Sequence, residues 1–167
     1  MSFDTKTKKT ALLGVLTAVA FILNYLESLL PSFIPVPGVK IGLANIAVLV
    51  ALYTLGLSYA AVLAAVRVVL SGLTFGSLFS MLYSFAGLAL AIPLMILLKR
   101  TKKFSVIGVS VAGSVAHNLG QLICALFLVG GAILYYAPLL ILSGIAAGLV
   151  TGLITKLALN ISLRSPL

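Results

Sequence analysis

The chain reads as an all-α integral membrane protein, a bundle of six transmembrane helices in a single domain spanning residues 1–167, and three observations predict it. Hydrophobic residues fill 62% of the 167 positions and charged residues only 8%, whereas soluble proteins carry roughly one-quarter charged residues. The acids are two, Asp4 and Glu27, while the eleven Lys and Arg residues crowd into short breaks between apolar runs. Those runs are continuous rather than alternating, which excludes a barrel and leaves helices as the way to satisfy the backbone in lipid. At roughly 20 residues per crossing, six spans use most of the chain.

The first span is expected over 10–30, ending where Pro31, Pro35, Pro37 and Gly38 remove amide donors and fix φ. A second is expected over 41–56 and a third over 60–70, with Leu57 to Tyr59 as a tight turn between them. Ser71 to Ser80, rich in glycine and hydroxyls, reads as a loop or re-entrant segment. A fourth span is expected over 78–98, a fifth over 104–129 and, after the Gly130-Gly131 turn, a sixth over 132–159, with 160–167 as a polar tail.

Six alternating spans place Lys6, Lys8, Lys9, Lys99, Arg100, Lys102, Lys103, Lys156 and Arg164 on one side. Positive residues beside spans are retained in the cytoplasm, so both termini are expected there, in the cell membrane. Lys40 falls at an opposite loop and Arg67 within a span. The formal charge of +9 sits at span ends rather than on an aromatic-studded polar face, pointing to anionic headgroups of the lipid bilayer and away from nucleic acid. Cys124 is the single cysteine, so an intramolecular disulfide and a cysteine metal cluster are excluded. The basic start resembles a secretory signal, but the residues after it offer no convincing cleavage site.

Polar side chains gather in one half of the bilayer. Asn24 and Glu27 fall toward the outer end of the first span, Asn45 at the start of the second, Arg67 near the midpoint of the third and Tyr83 in the outer half of the fourth. Ser114, His117, Asn118 and Gln121 follow i, i+3, i+4, i+7 spacing and share one stripe of the fifth span. Imidazole and amides together suit carbonyl and ring-nitrogen edges of a small-molecule ligand; an interhelical hydrogen-bond clamp is the alternative. One His without carboxylate or thiolate neighbours is a poor metal site. Arg67 keeps its charge in lipid at a cost of about 2.5 to 3.5 kcal/mol, so it needs a partner, either Glu27 or an anionic ligand group. Small residues four apart, Gly14 and Ala18, Ala60 and Ala64, Gly144 and Gly148, suit close helix packing or, alternatively, docking of another membrane protein.

The segments Pro37-Gly38-Val39-Lys40-Ile41-Gly42-Leu43-Ala44-Asn45-Ile46, Leu73-Thr74-Phe75-Gly76-Ser77 and Gly113 to Gln121 resemble the Gx transporter family, also labelled heptaprenyl diphosphate synthase component I. The resemblance covers nearly the whole chain. It implies a fold similar to the substrate-binding S components of energy-coupling factor vitamin transporters, which take substrate from outside. In those relatives a small-residue motif on the first helix docks to a transmembrane coupling subunit that works with ATPases. Gly14 and Ala18 approximate that motif, with Gly in place of one Ala. The resemblance also implies loci for flavin-based extracellular electron transfer, hence a flavin or quinone as ligand or bound cofactor.

Prenyl diphosphate synthases hold magnesium and diphosphate with paired Asp-rich motifs, and a chain with one Asp cannot build them. Synthase catalysis is therefore rejected, and no catalytic residue is assigned. The expectation is a non-enzymatic binding subunit with substrate-binding residues Asn45, Arg67, Tyr83, His117, Asn118 and Gln121. Without a Gly-x4-Gly-Lys-Ser/Thr phosphate loop, its energy comes from a partner. The rival reading is a membrane subunit of quinone- or flavin-linked electron transfer with redox partner proteins, in which His117 carries a proton or bonds a quinone.

Overall fold

A computed structural model of the chain describes residues 5–29 and 42–164. The Pro31 to Gly38 break, Lys40 and Asp4 lie outside the described residues. Six α-helices run in order: α1 (Thr5–Leu29), α2 (Asn45–Thr54), α3 (Leu57–Thr74), α4 (Leu78–Thr101), α5 (Val106–Val129) and α6 (Ala137–Arg164). The stretches Thr5–Leu29, Leu57–Thr74, Leu78–Thr101, Val106–Val129 and Gly131–Ile161 are each long and apolar enough to cross a membrane, so the chain is a multi-pass membrane protein.

The second expected span is the exception. Its helix has 10 residues, about 15 Å at 1.5 Å per residue and roughly half a hydrocarbon core. Two glycines set its limits: Gly42 stands at φ +79° ahead of the turn that opens it, and Gly56 at φ +101° closes it. Ala47, Val48, Leu49, Ala51 and Leu52 are buried among α1, α3 and α6, so α2 is a core rod rather than a lipid-facing crossing. At its end Lys99 Nζ donates to the Leu52 carbonyl and lies 4.8 Å from the Tyr53 ring centroid, satisfying an acceptor the helix cannot satisfy itself.

Several expected boundaries also move. Leu57 to Tyr59 are the first turn of α3, not a turn between spans, because Gly56 alone makes the break. Ser71 to Thr74 belong to α3 as well: Ser71 Oγ donates to the Arg67 carbonyl at 2.8 Å and Thr74 Oγ1 to the Leu70 carbonyl at 2.7 Å, so their hydroxyls are satisfied without leaving the helix. The true loop is residues 75–77, ended by a capping box between Ser77 and Ser80. After Gly130, at φ +92°, a 3-10 turn (Gly131–Tyr136) precedes α6, which continues to Arg164 where a polar tail was expected.

Close packing by small residues holds the larger helices together. Ala60, Leu63, Ala64, Arg67 and Val68 form the buried stripe of α3 at i, i+3, i+4, i+7, i+8 spacing. Gly144, Gly148 and Gly152 bring α6 against the backbone of α5; a Cβ on Gly148 would stand 2.5 Å from Val111 Cα. Ser110 and Thr151 hydrogen-bond at 2.9 Å across the same seam. The Ala60–Ala64 and Gly144–Gly148 pairs are thus internal packing. Gly14 and Ala18 differ: both are exposed on the side of α1 away from its buried Ala20, Asn24 and Glu27.

Candidate functional site

Of the buried polar side chains, Asn24, Glu27, Arg67 and Ser114 line one cavity of about 340 Å³, at the end of the bundle away from the Lys99–Lys103 run. Within α1, Asn24 and Glu27 are each 7% exposed. Next to them the turn into α2 is tied back, because Gly42 N–H donates to Glu27 Oε1. Asn45, at the start of α2, returns its own N–H to the Gly42 carbonyl at 2.8 Å and accepts from Arg67 Nη2 at 2.8 Å. Arg67 occupies the helical position one turn beyond Leu63 and Ala64, which explains why so costly a side chain points inward. It is 7% exposed, and its Nε has no hydrogen-bond partner.

The opposite wall comes from α4, α5 and α6. Tyr83 and Ser84 follow Ser77, Phe79 and Ser80 from the start of α4. On α5, Gln121 Nε2 and His117 Nε2 are 3.3 Å apart; an amide nitrogen can only donate, so the imidazole nitrogen accepts. Gln121 Oε1 is buried and has no partner. The His117 ring fits only because Gly87 faces it: a Cβ there would stand 2.6 Å from His117 Cε1 and Nδ1. Asn118 gives its amide nitrogen to α6, at 2.7 Å from the Leu140 carbonyl and 3.3 Å from Ser143 Oγ.

All six residues expected in a site, Asn45, Arg67, Tyr83, His117, Asn118 and Gln121, line this one cavity, though they come from α2, α3, α4 and α5. The two readings of the α5 stripe divide by residue. Asn118 is the clamp to α6, while His117 and Gln121 bond each other and face the cavity. Arg67 was expected to need Glu27 or an anionic ligand group; its Nη2 donates to Asn45, and its Nε has no hydrogen-bond partner. The sequence reading left the serines of α4 and Ser71 out of the site. Their signal was helical spacing, Ser71 four after Arg67, and Ser77, Ser80 and Ser84 at three and four. Among the described residues, no group of three or more His, Cys, Asp or Glu side chains is placed to hold a metal ion.

Among curated proteins nothing matches the chain. A solved structure of the S component of a bacterial ECF transporter superimposes with a TM-score of 0.66 at 20% identity, covering 96% of this chain and 95% of that one. At this identity the likeness establishes the fold, which is that of an S component. The family description matches residues 16–158, so the chain belongs to the heptaprenyl diphosphate synthase component I family.

Proposed function

We propose that this protein is a non-enzymatic membrane binding subunit that captures a small vitamin-, flavin- or quinone-like solute from the extracytoplasmic side. The observation that carries the reading is the convergence of Asn45, Arg67, Tyr83, His117 and Gln121 on one cavity of about 340 Å³, within the size range of small-molecule sites. The S-component fold supports it. By analogy with that fold, the partner is a transmembrane coupling subunit with ATPases, and Gly14 and Ala18 on the exposed side of α1 form the docking face. The family description names a synthase component, but the chemistry of two acids does not supply a magnesium-diphosphate site. Electron transfer gains no support from the fold or the family.

Mass spectrometry of solutes released from gently purified protein tests the proposal. One solute at near-stoichiometric occupancy is expected, binding saturably when added back. Arg67→Ala and His117→Ala each weaken it at least tenfold, about 1.4 kcal/mol. Unchanged affinity in both variants removes this cavity as the binding site.

A further inference from the structure

The charges of the cavity are matched before any solute enters. Glu27 and Arg67 are the one acidic and the one strongly basic side chain of its described lining, and each is 7% exposed. A continuous run of hydrogen bonds links them. Gly42 N–H donates to the Glu27 carboxylate, Asn45 N–H to the Gly42 carbonyl at 2.8 Å, and Arg67 Nη2 to Asn45 Oδ1 at 2.8 Å.

An anion brought beside Arg67 would therefore approach Glu27 as well, losing its hydration without meeting an uncompensated positive charge. What the cavity still lacks is hydrogen bonds. Arg67 Nε is a buried donor without an acceptor, and Gln121 Oε1 a buried acceptor without a donor. They stand on α3 and α5 and line the same space.

Resting on the binding-subunit reading above, we infer that the solute is uncharged, a small polar molecule offering a carbonyl-type acceptor to Arg67 Nε and an N–H or O–H donor to Gln121 Oε1. The class excludes carboxylates, phosphates and prenyl diphosphates, although an arginine stands in the site.

The test is a thermal double-mutant cycle in detergent with formate and inorganic phosphate as anion probes, each compared with sodium chloride at the same ionic strength. Glu27→Gln and Arg67→Met each lower Tm, and the double variant lowers it by less than the two losses combined. Wild type gains nothing specific from either probe. Glu27→Gln, with its guanidinium exposed, gains saturable stabilisation that the double variant loses. A double variant that folds where a single one does not supports the charge matching equally. Additive Tm losses, or a Glu27→Gln protein indifferent to both probes, overturn the inference. Saturable stabilisation of wild type by formate or phosphate also overturns it, and that arm decides alone if no variant folds. None of these readouts needs the solute, so failure to find one counts against the binding-subunit reading and leaves the charge matching to be judged separately.

Discussion

A missing methyl group positions the imidazole. Because a Cβ on Gly87 would press into His117 at 2.6 Å, Gly87→Ala must turn or shift the ring and disturb its bond to Gln121. Overpacking of this kind costs about 1 to 3 kcal/mol. The expected outcome is a roughly tenfold loss of solute affinity, about 1.4 kcal/mol, with helical content retained by circular dichroism. An unchanged affinity would mean that the orientation of His117 is irrelevant to binding. At this scale much of the site was legible: an arginine in a span and four polar residues on one α5 stripe announce themselves by cost and spacing. The link from Glu27 through Gly42 to Asn45 was not. It depends on a backbone N–H in a left-handed turn, and side-chain types carry no sign of which amide will be free.

Among the elements, glycines of similar spacing serve different purposes, and burial separates them. Gly148→Leu would drive a large side chain into Val111 and is expected to separate α5 from α6, lowering stability by about 1 to 3 kcal/mol or more. A Cβ on Gly14 meets nothing within 4 Å, so Gly14→Leu should leave Tm unchanged while abolishing co-purification with the proposed coupling subunit. Equal Tm losses in the two variants would place Gly14 in internal packing. Sequence alone could not draw this distinction, since both pairs are four apart in apolar helices. The extent of α3 was hidden for a related reason. Serine and threonine look like loop residues, yet in lipid their hydroxyls turn back to the preceding carbonyls and prolong the helix. The second expected span is already short for a full crossing in the sequence, but its place in the core was hidden because its glycine-bounded residues are as apolar as any span.

For the molecule as a whole, the cavity and the Lys99, Arg100, Lys102 and Lys103 cluster occupy opposite ends. Positive residues beside spans are retained in the cytoplasm, so the orientation we propose turns the cavity end outward. In a Cys124→Ser background, Ser77→Cys should react with a membrane-impermeant maleimide in intact cells, and Lys102→Cys only after permeabilisation. The reverse pattern would invert the protein and remove capture from outside.

The rod at the centre of the bundle spans that divide. Its first residue, Asn45, holds the guanidinium, and near its last turn the Leu52 carbonyl is held by Lys99. Ten residues without a break make a strut that links the basic rim to the floor of the cavity. Lys99→Met is expected to loosen this strut and weaken solute retention without touching any group in the chamber, measured as a faster dissociation rate. In the assembly proposed above, a coupling partner gripping that rim would hold a mechanical handle on solute release.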